Sequence, residues 1–246
     1  LSDAPTNAER SSSPKVVTNH HRLARRQSRK SGLKVVRLTI GNFRGIESAE
    51  LYFEGHTLMV GTNNVGKSTI CEALDLVLGP DRLNRFPPID EFDFYNATYL
   101  TPPEAEGEKP QAVLLRIEAV LIELSGEIYN KCGGNVEFWH LKEQRVLGPG
   151  EIAAANPPDV MPCLRIETLG KYDPDEDEFG AKTYFSHSPD ASIGELTAVP
   201  KPIKRLFGFL YLRTLRTGSR ALSLERGSLL DIILRTKGVR TSLWKH

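Results

Sequence analysis

The chain has 246 residues, 39% of them hydrophobic, and a formal net charge of +1 with histidine neutral. That is enough apolar material for one large core or two small ones, and a charge so near zero that overall electrostatics predicts no nucleic-acid partner; any basic surface has to be local. No apolar stretch approaches the ~20 residues that cross a bilayer, so no membrane partner is expected, and Cys71, Cys132 and Cys163 lie too far apart for a metal pattern, reading instead as reduced thiols of a cytoplasmic protein.

Residues 1–33 differ in composition from the rest. From Ser11 to Gly32, Ser and Arg abound, with Lys, His and Asn beside them, and there is no carboxylate, which predicts a disordered basic arm. The arm has the Arg-rich, acid-poor style of a transit peptide but lacks its amphipathic period; contact with nucleic acid and a plain solvated extension are the other readings. Position 1 is Leu, so a fragment or an artificial boundary is expected there.

Order is expected from Lys34. Val36, Leu38 and Ile40 alternate with Arg37 and Thr39, a turn at Gly41-Asn42 leads into Phe43-Arg44-Gly45-Ile46, and Leu51 and Phe53 alternate again before Gly55. This is a hairpin pattern. Thr57–Val60 is a short unbroken apolar run, as expected for a central strand buried on both faces. The next residues, "GTNNVGKST" from Gly61 to Thr69, fit the phosphate-loop pattern G-x-x-x-x-G-K-[ST]. In such a loop the backbone of Gly61, Asn63, Asn64, Val65, Gly66, Lys67, Ser68 and Thr69 wraps a polyphosphate. Lys67 reaches the outer phosphates as a point charge, and Ser68 holds magnesium. The implied cofactors are ATP or GTP and Mg2+. Ile70, Ala73, Leu74, Val77 and Leu78 then fall on one helix face, Gly79 sits at a C-cap position and Pro80 blocks continuation. Strand, loop and helix come in the order that points a helix N-terminus at the anion.

The series from "GNFRGI" to the phosphate loop resembles the start of the ABC-type ATPase heads of the SMC and RecF-like group. That resemblance implies a position for Arg44 close to the base or phosphates of the nucleotide; a surface arginine in a turn is the plainer alternative. "GPDRLNRFPPIDEFDFYNATY", Gly79 to Tyr99, and "YLRTLRTGSRALSLERGSLLDIILR", Tyr211 to Arg235, are similar to segments of OLD-family (overcoming lysogenization defect) ATP-dependent endonucleases. The implied fold is α/β: a P-loop NTPase of ABC-ATPase type over residues 34–246, with an inserted antiparallel sheet and incomplete at its C-terminus. The family also implies a homodimer of heads, DNA as the partner of the full-length protein, and a later Toprim nuclease domain.

Between those landmarks, Val113–Leu124, Phe138–His140 and Leu164–Thr168 read as strands of the inserted sheet, and His140 as a structural histidine. The acidic run Tyr172–Phe179 lacks the spacing of a calcium loop and reads as a solvated turn. Leu206–Leu212 reads as another core strand, followed by Arg213, Arg216, Arg220 and Arg226, which suit a phosphate backbone, a partner head or a solvated face, and by an apolar helix face within 228–234.

ATP hydrolysis needs a strand ending in paired carboxylates, and none is found. Glu123 ends an apolar run too early in the chain without an adjacent aspartate, and "LSGE", Leu124–Glu127, resembles a signature segment only superficially, within the expected sheet. Catalytic residues are therefore unassigned. "TKGVRTSLWKH" at the end departs from the helix pattern and suits a frame-shifted tail of a truncated enzyme, for which marginal folding is expected. Three readings remain: the head of an OLD-like endonuclease, a RecF- or SMC-like repair head without its own nuclease, and a nucleotide-binding module that does not hydrolyse.

Overall fold

The structure is a computed structural model and describes residues 15–18, 32–63, 65–84, 86–102, 110–152, 155, 157–186 and 196–211. In chain order the strands and helices are β1 (Lys15–Thr18), β2 (Lys34–Phe43), β3 (Ile46–Tyr52), β4 (Thr57–Val60), α1 (Lys67–Leu78), β5 (Leu100–Thr101), β6 (Gln111–Ala112), β7 (Leu115–Ile122), α2 (Gly126–Cys132), β8 (Val136–His140), β9 (Arg145–Val146), β10 (Val160–Asp173), β11 (Glu178–Phe185) and α3 (Lys201–Leu206).

The main sheet is antiparallel throughout, in the order β3-β2-β7-β10-β8-β9. One edge of β10 carries β8 along Val160–Leu164 and β11 along Ile166–Asp173. Strand alternation sorts the side chains onto two faces. The inner face carries the cross-strand rows Leu38–Ala119–Ile166–Phe185 and Ile40–Ile117–Thr168–Thr183. Helix α1 lies across β2, β7 and β10, burying Ile70, Ala73, Leu76, Val77 and Leu78 against that face. Each large aliphatic side chain buried in this way stabilises the fold by about 1.5–3 kcal/mol. Leu76 takes the buried place that periodicity gave to Leu74, which is only half-buried.

On the outer face Glu118 and Glu167 stand directly opposite each other, an arrangement that repels unless cations intervene. Arginines from three strands supply them. Arg37 Nη2 donates to Glu118 at 2.8 Å, Arg116 Nε donates to Glu167 at 2.7 Å, and Arg165 grips Glu137 of β8 with both Nε and Nη2. Beside this ladder Val120, Ile122, Trp139 and Cys163 form a second apolar cluster, where burial pushes the Cys163 thiol up to about 12.

Several sequence expectations need correction. The hairpin turn is Arg44-Gly45: Gly41-Asn42 continues β2, with Asn42 at φ 53 beside the last bridge, Phe43 to Ile46. Strand β4 is not central. Among the described residues it pairs only with β1, and Leu58 and Val60 remain 64% and 56% exposed. The apolar run makes a strand, but burial needs neighbours on both sides, and only Met59 of its apolar residues packs against the core. Within residues 1–33, which composition reads as a disordered basic arm, the described Lys15–Thr18, rich in β-branched residues, is a strand.

Ser125 caps α2, its Oγ accepting from Ile128 N at 3.3 Å, so "LSGE" opens a helix and does not lie in the sheet. Leu206 ends α3, and the chain turns at Gly208, φ 65, so the expected strand over Leu206–Leu212 does not begin there. Pro202 in the first turn favours a helix start at that point. Leu212 and all later residues, including the four arginines from Arg213 to Arg226 and the closing Thr236–His246, lie outside the described residues.

Strands read from the sequence at 113–124, 138–140 and 164–168 are present as β7, β8 and the much longer β10. The acidic run forms the turn between β10 and β11. His140 is structural, its Nδ1 accepting from Glu143 N at 3.0 Å. No helix among the described residues is long and apolar enough to cross a membrane.

Candidate phosphate-binding site

β4 delivers the chain into Gly61, and α1 begins at Lys67 after Gly66, whose φ of 88 is a left-handed conformation that glycine adopts without penalty. A Cβ on Gly61 would stand 2.8 Å from Cγ2 of Val65, so the loop closes on itself only because that position is bare. The hairpin supports the loop from outside: a Cβ on Gly66 would lie 3.6 Å from Cδ1 of Ile46.

The N-terminus of α1 has no side-chain cap and no carboxylate in its first turn. The first helical hydrogen bond inside it runs from Ile70 N to Gly66 O at 3.0 Å. The amides of Lys67, Ser68 and Thr69 are thus the free donors that every helix start leaves, combined with the positive end of the helix dipole. Lys67 Nζ donates to the carbonyl oxygens of Gly61 at 2.9 Å and Thr62 at 2.5 Å, which holds its charge over the loop. The Ser68 side chain lies on the exposed surface and that of Thr69 is half-buried. Of the expected loop residues, Gly61, Asn63, Val65, Gly66, Lys67, Ser68 and Thr69 are brought together here, and Asn64 lies outside the described residues. Donors without acceptors, a cation and an absence of anions together suit a polyphosphate with magnesium.

Arg44 contacts α1 one turn beyond the loop, at Glu72. Its φ of 52 is uncommon for a residue with a side chain and costs on the order of 1 kcal/mol or more, so surrounding contacts must hold it. They are substantial. The backbone N of Arg44 donates to Asp93 O at 3.0 Å, Nε and Nη2 both lie 2.9 Å from Asp93 Oδ1, and Nη1 donates to Glu72 Oε2 on α1. Asp93 is 1% exposed. It is held by a capping arrangement in which Asp90 Oδ1 accepts from Phe92 N and Asp93 Oδ2 accepts from Asp90 N. Phe94, buried beside it, bridges to Phe43 of β2 and packs on Phe179, ring centroids 5.9 Å apart.

Sequence reading missed Glu72 and Asp93. The signal for Asp93 was the Asp90–Asp93 spacing, that of a helical cap, whereas Glu72 looked like any solvent-facing helix residue. The outer side of the Arg44 turn borders an open depression of about 660 Å³ whose lining includes Asp90, Phe92 and Asn96 and none of Gly61–Thr69.

Glu123 stands far from this end. It follows β7, which pairs with β2 so that Ile122 is opposite Lys34, and Lys34 Nζ donates to Glu123 Oε1. The whole length of β2, roughly 30 Å, separates that pair from the Arg44 turn. No group of three or more His, Cys, Asp or Glu side chains suited to a metal occurs among the described residues.

No curated protein sequence matches the chain. A solved structure from work on the structural biochemistry of ATP-driven dimerization and DNA-stimulated activation of SMC ATPases aligns over 85% of this chain and 98% of its own, with 13% identity and a TM-score of 0.34. Residues 33–131, which contain the hairpin, the loop, α1, β7 and most of α2, match the family model of an AAA ATPase domain. With the strand, loop and helix in that order, this match supports a nucleotide-binding ATPase domain of mixed α/β, P-loop type over those residues.

Proposed function

We propose that the chain binds Mg-ATP at Gly61–Thr69 and is the ATPase head, of ABC type, of an OLD-like ATP-dependent DNA endonuclease. The observation that carries nucleotide binding is the start of α1: left-handed Gly66, an uncapped and carboxylate-free first turn, and Lys67 lying over the loop. Backbone amides of Lys67, Ser68 and Thr69 would hold the phosphates and Lys67 would exchange its two carbonyl partners for phosphate oxygens. Ser68 is the residue that would hold magnesium, which when bound neutralises and bridges two phosphates.

The OLD assignment rests on the resemblance of Gly79–Tyr99 and Tyr211–Arg235, and with it go DNA as partner, pairing of two heads and control of a nuclease domain. A RecF- or SMC-like repair head is the second reading, favoured by the resemblance of the "GNFRGI" hairpin and the loop after it to the start of such heads. The sequence assigns no hydrolytic carboxylate, and Glu123, which follows β7, is paired with Lys34 at the far end of β2. Binding is therefore the activity that the described residues support best.

Calorimetry of the full chain with Mg-ATP, with Lys67→Ala beside it and phosphate release followed on the same sample, tests the reading. Binding that is lost in Lys67→Ala upholds it, whereas equal binding by both proteins moves the nucleotide elsewhere. Phosphate release would separate a hydrolysing head from a binding module.

A further inference from the structure

The Arg44 contacts carry an inference about the phosphate loop that rests on the nucleotide-binding reading. We propose that Arg44 is a positioning residue that clamps the first two turns of α1, and through them the loop, against the β2–β3 hairpin. Direct contact with nucleotide, which the family resemblance implies for this arginine, is the competing role.

Three observations converge on the clamp. The guanidinium is already engaged on both sides, by buried Asp93 through Nε and Nη2 and by Glu72 through Nη1. Glu72 lies four residues after Ser68, one helical turn along the same face, so a force on Glu72 is transmitted to the residues that start the helix. The third is a parallel link. Arg82 Nη2 lies 3.8 Å from Asp93 Oδ2 while its Nε lies 3.9 Å from Asp75 Oδ2, one turn further along α1. Asp93 therefore ties two points of α1 to one rigid corner, and Arg44 supplies the link nearer the loop. Its left-handed backbone, bonded at N to Asp93 O, fixes the direction from which the side chain enters.

The clamp and a direct contact predict different responses to different ligands. The experiment measures binding of Mg-ATP and of Mg-tripolyphosphate, by calorimetry on the full chain, for wild type, Arg44→Ala, Glu72→Gln and the double variant. Each single variant is expected to weaken both ligands by the same factor, about tenfold, and the double variant to be no weaker than the worse single one, because both remove one interaction. Loss in Arg44→Ala with Glu72→Gln unchanged overturns the clamp: loss of ATP alone then means contact with base or ribose, and loss of both ligands means contact with phosphate. Unchanged affinity in every variant overturns it as well.

Should Arg44→Ala not fold, Glu72→Gln with Arg44→Lys decides in the same way, since the half-exposed Glu72 can lose its charge without opening a cavity. Hydrogen exchange supplies the readout that a general loss of stability would not move. The hydrogen-bonded amides of α1's first turns, beginning with Ile70, whose N donates to Gly66 O, should exchange faster in Glu72→Gln while β7 and β10 stay protected, and unchanged exchange there overturns the clamp. If wild type binds neither ligand, the nucleotide reading fails by itself, and the exchange measurement still judges the clamp.

Discussion

The two ends of α1 are built on opposite plans. At its start, Lys67, Ser68 and Thr69 have no capping side chain to accept from their amides, and Lys67 leans on carbonyls it can leave. At its end polar groups are taken up by neighbouring elements. Gly79 N donates to Asp75 O at 2.9 Å, Thr168 Oγ1 donates to Leu76 O at 3.5 Å and lies 2.7 Å from Thr183 Oγ1, and buried Lys204 donates to Thr183 Oγ1 at 2.7 Å. One helix thus offers hydrogen-bonding capacity where a ligand belongs and uses it within the fold where the core has to close. The lesson is that spare polar capacity, more than residue identity, separates a site from a structural joint.

The sharpest way to break this comparison is at the open end. Lys67→Ala should cost about 3 kcal/mol of Mg-ATP affinity, roughly a hundredfold, with no change in the thermal midpoint. A variant that loses stability together with binding would show that Lys67 belongs to the fold as much as to the site.

At the closed end Gly79→Ala should destabilise the fold by about 2–3 kcal/mol. Its Cβ would come 2.4 Å from Asp75 O and 2.6 Å from Asp75 Oδ1, although the residue's φ of −63 is open to any side chain. Denaturant unfolding measures this, and a neutral outcome would mean that the helix end yields easily.

Lys204 sharpens the comparison through pH. Burial pulls its ammonium down from the ordinary 10.5 to about 8, with Asp75 opposing the shift. Below about pH 8 both folded and unfolded chains carry the charge, and the folded one bears the cost of burying it. Between about 8 and 10.5 the unfolded chain holds a proton that the folded one has released, so this group makes stability rise with pH across that window. Lys204→Met should therefore raise stability by about 1–2 kcal/mol at pH 7, with the advantage fading towards pH 10.5. Chemical denaturation at both pH values decides it, and an advantage independent of pH would assign the gain to packing.

The smallest effect is expected at β4, where Leu58→Thr should change stability by less than about 0.5 kcal/mol because Leu58 is 64% exposed. A larger loss would reveal a cover over that face.

Much of the open end was legible in the sequence. Glycines at fixed spacing, a lysine and a helical period are local signals, and local signals survive without tertiary information. The hairpin of Lys34–Tyr52 was legible for the same reason, apart from its turn, which moved to Arg44-Gly45 because Asn42 adopts a left-handed backbone within the strand. The closed end was not legible. Nothing near Lys204 distinguishes it from a surface lysine, since it is buried against Thr183 of β11 and within electrostatic reach of Asp75 of α1, each distant in sequence. β4 misled in the opposite direction, because apolar composition predicts that a strand forms and says nothing about what flanks it. The grip of Arg44 on Glu72 and Asp93 likewise joins three segments that no periodicity connects.

The pairing of β2 with β7 places the whole of residues 44–114, phosphate loop included, inside one excursion between two neighbouring strands. Closing such a loop is an entropic step that local helix formation does not require, so α1 can form early while the sheet that receives it forms late. Nucleotide affinity should then return on refolding only with the last kinetic phase, which makes ligand binding a clock for the completion of the sheet.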